Sequence, residues 1–437
     1  MKKISYTIIL LNLVLFSYSQ ENLSLTDCFF IALKNNLNLK EEQFNSKISK
    51  TRVNAAKLKA LPSINSSATN RYSWGRSIDP DSNSYIETKF STVSGGIGSS
   101  FNLFSGFQNL NSIKQAKQDL MINKANYEQV ENDLKITIAS KYTSILFLQE
   151  IVKSLKGEIE STTKQLEMIE LKFKAGYLSE SEVYKVKSQL ANLDVTLITT
   201  ENDLDLNFLD LKQLLNIEVS KKVTLNPLIN EDFTILELEK EEEFVSKNIE
   251  IYPMYQIFKL QLLKSKTEIN LNRSALFPRI TTNFNYNSFY TSSKELITFN
   301  NQINLNLNYS VGFSVSMPLF NQSQNRSKIK ESKLIYLQNK VKLDLEKMRV
   351  TKILYQSVND AKSAKKKYEA AKLNFEFSSK SYEADVLKFN YGKINFNDLS
   401  ITKNNFLSSQ SNLIKSKYEF LFNNALINFY KGNDFTL

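Results

Sequence analysis

An alternating pattern in residues 303–317, INLNLNYSVGFSVSM, decides the fold. Apolar side chains occupy every second position from Ile303 to Met317, and asparagine, serine and glycine fill the positions between them. A period of two residues is typical of a β-strand, because successive side chains point to opposite faces of a sheet. Residues 279–290 alternate in the same way. The sequence therefore predicts two strands, at about 279–290 and 303–318.

A weaker version of the pattern occurs in the first half of the chain, at about 62–76 and 88–103. Such strands fit either a hairpin with one face on a soluble core or strands whose apolar face meets lipid. Membrane strands need about 9 to 11 alternating residues, with aromatic side chains at the membrane interfaces. Aromatic residues stand near the strand ends, namely Tyr72, Trp74, Phe277, Tyr290 and Phe320. The uncharged polar face favours lipid-facing strands.

A sequence repeat relates the two halves of the chain. The pairs Leu61-Pro62 and Leu103-Phe104 recur 216 residues later as Phe277-Pro278 and Leu319-Phe320. Gly176 and Gly392 are separated by the same interval, and the alignment runs from about residue 61 to 215 without a gap. This register indicates a duplicated structural unit.

Long helices follow each pair of strands. Residues 105–175 and 322–391 contain no proline, and their apolar residues recur at coiled-coil spacing. Roughly 70 residues at a rise of 1.5 Å make a helix of about 105 Å, which is too long for the core of a compact domain. We expect each long helix to turn at Gly176 or Gly392 and to return as a shorter helix.

The predicted organisation places a first repeat at 20–216, a mixed segment at 217–247, a second repeat at 248–431 and a C-terminal tail at 432–437. The predicted fold class is mostly α with a transmembrane β-barrel and two tandem repeats. Four strands cannot close a membrane barrel, because bacterial barrels start at eight strands and open edges are not tolerated in lipid. Several chains must therefore share one barrel.

Composition excludes most enzyme classes. The 437 residues include no histidine, which excludes histidine-dependent nucleophile pairs and the two-histidine zinc helix of metalloproteases. The one cysteine, Cys28, excludes an intramolecular disulfide and a cysteine-rich metal cluster. The segment Gly95-Gly96-Ile97-Gly98 resembles part of a dinucleotide loop, but Phe101 stands at the third glycine position. We therefore predict no cofactor, no metal site and no catalytic residue, and a buried thiol at Cys28.

The first 19 residues have the features of a secretory signal peptide. Lys2 and Lys3 precede an apolar run that is too short to span a membrane, and small residues precede Gln20. Cys28 does not directly follow this cleavage site, so the sequence does not predict a lipoprotein. Cleavage would lower the net charge from +11 to +9. Export from the cytoplasm argues against nucleic acid as a partner. The remaining basic side chains either contact anionic lipid headgroups or keep the exposed helix faces hydrated.

These features together resemble the TolC-like outer membrane efflux protein family over nearly the whole mature length. The residues that carry the resemblance lie at equivalent places in the two repeats. They are Ala32-Leu33-Lys34-Asn35-Asn36, Leu61-Pro62-Ser63, Phe277-Pro278-Arg279, Leu103-Phe104-Ser105-Gly106, Pro318-Leu319-Phe320-Asn321, Gly176 and Gly392. The resemblance implies a homotrimer with a twelve-stranded barrel in outer membrane lipid and a periplasmic helical tunnel. It also implies a passive duct, coupled through a periplasmic adaptor to an inner-membrane efflux or ABC-type pump.

The resemblance also assigns candidate site residues. The adaptor-docking tips would include Gly176, Tyr177 and Leu178 in the first repeat and Gly392, Lys393 and Ile394 in the second. An acidic ring at the tunnel entrance would contain Asp398, with Glu182 as its counterpart in the first repeat. The family's second acidic position is Ile401 here. An alternative function is that of a periplasmic coiled-coil adaptor without a channel, although such a protein would have one helical hairpin between soluble β-domains.

Overall fold

The computed structural model of the chain describes residues 21–78, 83–87, 89–227, 241–293 and 297–437. The predicted signal peptide, residues 1–19, lies outside the described residues. Within these ranges, no helix combines the length and the hydropathy needed to cross a membrane.

Nine α-helices occur in the described ranges, and two of them have 67 residues each. The helices are α1 Leu25–Asn35, α2 Leu37–Leu58, α3 Gln108–Lys174, α4 Glu180–Leu215, α5 Glu241–Ile249, α6 Pro253–Arg273, α7 Phe299–Leu305, α8 Gln324–Asn390 and α9 Phe396–Tyr430. A short 3₁₀ turn, Ser274–Leu276, follows α6. The long helices α3 and α8 each lead through a short turn into a return helix, α4 or α9.

Eight strands occur in the same ranges, four of them in one antiparallel sheet of order β2-β5-β7-β8. The strands are β1 Glu21–Leu23, β2 Ser63–Ser73, β3 Arg76–Ile78, β4 Tyr85–Glu87, β5 Phe90–Ser105, β6 Val223–Leu225, β7 Arg279–Thr291 and β8 Asn308–Ser316. The strand β1 pairs in parallel with β6, and β3 pairs with β4.

The tandem repeat predicted from the sequence is confirmed in the backbone. The first and last residues of α3 lie 216 positions before those of α8, and α4 begins 216 positions before α9. The left-handed residues repeat as well, since Gly106 and Phe107 correspond to Gln322 and Ser323, all with positive φ. Each repeat thus contains the same order of two helices, two strands and a helical hairpin.

The structure divides into two compact units, each built from several chain segments. The first unit comprises the described residues of Met1–Glu42, Tyr127–Tyr255 and Lys347–Leu437. Its main core includes Cys28, Ile138, Tyr142 and Leu215, each at most 1% exposed. Cys28 is buried as predicted, and burial raises the pKa of its thiol to about 12.

The second unit comprises Gln43–Asn126 and the described residues of Gln256–Glu346, and it contains the four-stranded sheet. The strand register places most apolar side chains on one face and most asparagine, serine, threonine and glycine residues on the other, which also carries Arg71 and Phe289. The strands β2 and β8 form the two edges, and each has a single hydrogen-bonded neighbour. All residues of β8 are exposed.

The prediction of one strand over residues 303–318 is wrong for its first part. Residues 299–305 form helix α7, and β8 begins only at Asn308. The amide of Gln302 accepts a hydrogen bond from the backbone nitrogen of Thr291 (2.9 Å) and donates one to the Thr291 carbonyl (3.0 Å). Asn306 donates similarly to the Phe289 carbonyl (2.9 Å). These side chains satisfy the end of β7, so that no paired strand is needed there.

The C-terminal residues, predicted as a tail over 432–437, fold back onto the first unit. Phe435 is 2% exposed, and its ring centroid lies 5.5 Å from that of Phe429 and 6.0 Å from that of Phe422. Phe29 of α1 contacts the same ring edge-on at 6.3 Å. The tail is therefore part of the hydrophobic core.

Candidate functional site

The two helical turns that the sequence singles out have the same backbone geometry. The amide of Gly176 donates to the Phe173 carbonyl (2.9 Å), and that of Tyr177 donates to the Lys172 carbonyl (2.9 Å). In the second repeat, Gly392 donates to Phe389 (3.0 Å), and the next amide, of Lys393, donates to Lys388 (2.8 Å). This pair of bonds is the Schellman motif, which satisfies the last carbonyls of a helix.

Glycine is required at both turns by backbone conformation. The φ angles of Gly176 and Gly392 are +81° and +69°, in the left-handed region that other residues rarely adopt. A Cβ atom built at either position would meet nothing within 4 Å. The space beside both glycines is therefore open.

The structure separates the predicted tip residues into two groups. Tyr177 is 81% exposed, Tyr391 is 79% exposed, and Lys393 is also exposed. Leu178 and Ile394, which are equivalent in the two repeats, are only partly exposed. The first group lies at the surface of the turns, whereas the second group packs beneath them.

A small hydrophobic core joins the two hairpins under these turns. We call it the tip cluster, and its buried members are Ile169, Val183, Val186, Phe389, Phe396 and Leu399. Leu178 and Ile394 pack against it. The tip cluster explains why the turns hold a defined position although they are exposed on their outer side.

The two predicted entrance acids occupy equivalent positions in the first turn of the return helices. The carboxylate of Glu182 accepts a hydrogen bond from the Ser179 amide (3.0 Å), which caps the start of α4. Asp398 donates its backbone amide to the Asn395 side chain (3.0 Å) at the start of α9, and its side chain is exposed. Both carboxylates also lie near the positive end of a helix dipole.

A buried ion pair, which is not among the candidate sites predicted from the sequence, lies between α3 and α9. The Nζ atom of Lys403, a residue 1% exposed, lies 2.6 Å from Glu158 Oε1. It also donates to Thr162 Oγ1 (2.9 Å) and Gln165 Oε1 (3.0 Å). All three donor positions of the ammonium group are used, as burial of a charge requires.

A sequence signal for this lysine did exist. Lys403 follows the buried Leu399 by four residues, so it lies on the buried face of α9. Its counterpart in the first repeat, Lys187, instead forms a half-exposed pair with Glu170 (3.0 Å). Only the packing of α9 against α3 distinguishes the two lysines.

The exposed face of the sheet is a second candidate surface. On β8, the side chains of Tyr309, Val311, Phe313 and Val315 are between 65% and 74% exposed. Phe284 and Tyr286 of the neighbouring β7 are 42% and 45% exposed on the same face. A contiguous apolar surface of this kind marks a contact with lipid or protein.

Glycines on the opposite, polar face allow large amide side chains to lie across the neighbouring strand. Gly96 and Gly98 of β5 pair with Asn287 and Asn285 of β7. A Cβ atom at Gly96 would stand 2.8 Å from the Cβ of Asn287. These glycines therefore allow the strands to pack closely and do not form a nucleotide-binding loop.

No cluster of three or more potential metal ligands occurs among the described residues.

Comparison with known proteins identifies this arrangement. The chain belongs to the outer membrane efflux protein family, whose model matches residues 31–216 and 258–430. These ranges include both hairpins, and members of this family are non-enzymatic transport ducts.

Solved structures show the same fold at low sequence identity. The outer membrane channel CmeC of Campylobacter jejuni superimposes with a TM-score of 0.83 at 15% identity, covering 96% of this chain and 88% of that one. The structure of CusC has a TM-score of 0.82 at 13% sequence identity, and the match covers 95% of this chain and 96% of CusC. VceC, an outer membrane protein of Vibrio cholerae, has a TM-score of 0.79 at 12% sequence identity, and the match covers 94% of this chain and 97% of VceC. Among curated protein sequences, none matches the chain significantly.

Proposed function

We propose that the chain is the outer membrane channel of a tripartite export system and acts as a passive exit duct. Three copies share one twelve-stranded barrel, to which each contributes the sheet β2-β5-β7-β8. The helical hairpins of the three copies form a tunnel in the periplasm. An inner-membrane efflux or ABC-type pump drives export, and a periplasmic adaptor connects the pump to the duct.

The observation that carries this proposal is the combination of two open sheet edges with an exposed apolar face. Unpaired strand edges are not tolerated in lipid, whereas a closed ring of strands has none. Two copies would give eight strands, whose lumen is filled by side chains, and three give twelve, which is wide enough to begin to form a channel. The apolar face would then meet lipid, and the asparagine-rich face would line the lumen.

The long helices supply a second argument for self-association. On α8, Leu334, Leu337, Val341 and Leu345 follow coiled-coil spacing and are between 55% and 60% exposed. Such a stripe on an isolated helix needs a partner helix. In the trimer, neighbouring copies cover it.

The assembly is tested by measuring mass and conductance on the same detergent-purified sample. We expect a trimer that survives mild detergent and forms conducting pores in a planar bilayer. A monomer that stays soluble without detergent and gives no conductance would contradict the duct. That outcome would favour the alternative of a periplasmic adaptor.

The adaptor is proposed to dock at the hairpin turns, through Gly176, Tyr177 and Leu178 of one turn and Gly392, Lys393 and Ile394 of the other. In this contact the exposed residues touch the adaptor, and Leu178 and Ile394 support them from the tip cluster. A polar groove of about 450 Å³ lies beside the turns, between α4 and α9. Within the described structure, the buried Nε2 of Gln189 in this groove has no hydrogen-bond partner, so a docked chain could supply an acceptor.

The docking proposal is tested by introducing a large side chain at each turn. Gly176→Trp and Gly392→Trp should abolish export of cargo by cells while the trimer and its conductance persist, because the added ring blocks the adaptor. The matched control is Gly157→Trp, since Gly157 is also exposed with nothing within 4 Å of a Cβ but lies in the middle of α3. Normal export by both turn variants would show that the adaptor contacts another surface.

A further inference from the structure

Charge is distributed unevenly between the two compact units. The ranges 43–126 and 256–346 contain 23 lysines and arginines against nine aspartates and glutamates, a net charge of +14. Because the whole chain carries +11, the remainder is slightly acidic, at −3. The basic excess of this protein is thus confined to the unit that contains the sheet.

Within this unit, carboxylates are missing from the sequence around every junction between helix and sheet. No aspartate or glutamate occurs in 43–78, 88–118, 269–294 or 296–330. Exposed basic side chains lie at these junctions, in the helix turns next to the sheet, in the turn after α2 and at the start of β7. They are Lys57, Lys59, Lys114, Arg273, Arg279, Arg326, Lys328 and Lys330. The order of elements places all of them at one end of the sheet, opposite the end where the strand-connecting loops lie.

A polar cleft of about 510 Å³ opens at this end of the sheet, entirely within the second unit. Two cations line it, Arg279 at the start of β7 and Lys328 in the second turn of α8, and no carboxylate does. The guanidinium of Arg279 is held by Gln108 Oε1 (3.2 Å), and Asn325 is fixed by the Ala275 carbonyl (3.2 Å). A guanidinium anchored at one nitrogen has further N–H donors for an anion.

Large apolar side chains lie beside the same junction. Leu319 and Phe320 are 91% and 82% exposed, and Phe277, which lines the cleft, is 48% exposed. A cationic cleft flanked by exposed apolar residues, at the edge of a surface that meets lipid, matches the two parts of a phospholipid. The phosphate would contact the cations and the acyl chains would contact the apolar residues.

We propose that the cleft lined by Arg279 and Lys328 binds the phosphate of an anionic phospholipid headgroup. The assignment rests on the proposed function, because it requires the sheet to lie in a membrane with its helix-bearing end at the periplasmic leaflet. Phosphatidylglycerol fits the charge of the junction, since its phosphodiester is anionic and it has no cationic group. The site would anchor the channel at a fixed depth in the outer membrane.

The proposal is tested on the full chain, purified in mild detergent and titrated with phosphatidylglycerol under native mass spectrometry. We expect lipid to stay bound to the intact assembly, and Arg279→Gln with Lys328→Gln to weaken binding about thirty-fold, from the loss of two near-membrane cations. The matched control is Lys340→Gln with Lys342→Gln, which removes the same charge from exposed positions farther along α8. The control should bind as the parent does.

Each other outcome overturns the assignment. Equal weakening in the variant and the control would show attraction by overall charge without a site. Equal binding of phosphatidylcholine would remove the role of net lipid charge, and full competition by millimolar inorganic phosphate would show a site for free phosphate. Mass and conductance are recorded on every sample, so loss of lipid binding by a conducting trimer is distinguishable from failure of the channel proposal.

Discussion

At the scale of single residues, the packed helices contain a buried ion pair in addition to apolar side chains. Lys403 is enclosed by α3 and α9, and Glu158 neutralises it at 2.6 Å. The negative charge of Glu158, after the larger effect of burial, also contributes to a raised pKa of Tyr382. Removing one partner of a buried pair leaves the other charge without compensation, which costs more than the pair contributes by itself.

We therefore expect Lys403→Met to lower the free energy of unfolding by about 3 to 5 kcal/mol per chain. Adding Glu158→Leu should restore much of the loss, because no uncompensated charge remains. The control is Lys187→Met, which breaks the half-exposed counterpart pair and should cost about 1 kcal/mol or less. Thermal unfolding of the three variants in detergent checks the order. Similar stability of Lys403→Met and Lys187→Met would contradict the buried role of Lys403.

The acids Asp398 and Glu182 are proposed to ring the tunnel entrance. Threefold symmetry would place three copies of Asp398 around the axis, and six carboxylates if Glu182 also faces inward. Clustered carboxylates attract cations. Asp398→Ala with Glu182→Ala should thus reduce cation preference and weaken block by multivalent cations in a planar bilayer.

The matched control for the ring is Asp194→Ala with Asp205→Ala, which removes two exposed acids from the body of α4. It should leave selectivity unchanged. If the ring variant also leaves selectivity unchanged and stability falls by roughly 0.3 to 1 kcal/mol per helix, the two acids act only at the helix ends.

At the scale of elements, the hairpins depend on how each long helix stops. A helix that continued past Lys174 could not return as α4, and the left-handed residue at position 176 makes the reversal possible. Gly157 provides a comparison, because it lies in the interior of α3, where glycine is unfavourable. Both glycines have open space at the Cβ position.

Alanine should therefore have opposite effects at the two positions. Gly157→Ala should raise the free energy of unfolding by about 0.5 to 1 kcal/mol, because alanine restricts the unfolded chain and favours the helix. Gly176→Ala should lower it by about 1 kcal/mol or more, since alanine is strained at φ +81°. Thermal midpoints of the two variants give the comparison. A shift in the same direction at both positions would refute the conformational explanation of the turn.

At the scale of the whole molecule, the ends of the chain complete the core of the first unit. The short parallel pair β1-β6 brings the beginning of the described chain beside the segment after α4. Tyr142 donates its hydroxyl to the Asn226 carbonyl (2.8 Å) beside this pair. Phe435, only two residues from the C-terminus, fills an aromatic site against α1 and α9.

Phe435→Ala should consequently destabilise the protein by about 3 to 5 kcal/mol, the usual cost of emptying a buried phenylalanine site. Phe435→Leu should cost less, since most of the volume stays filled. Both variants should retain conductance at low temperature, and thermal unfolding measures the difference. An unchanged midpoint for Phe435→Ala would mean that the tail does not contribute to the core in solution.

Features with a short-range cause can be predicted from the sequence. The two long helices and the glycine turns follow from helical periodicity and from the backbone freedom of glycine, and the 216-residue register is visible as a direct repeat. Features that depend on distant partners follow only from the three-dimensional packing. Residues 303–307 alternate like a strand, yet Gln302 and Asn306 satisfy the end of β7 and fix a helix there. Likewise, Lys403 is buried and Lys187 is half-exposed, although the two are equivalent in the repeat, because Lys403 packs against Glu158 of α3.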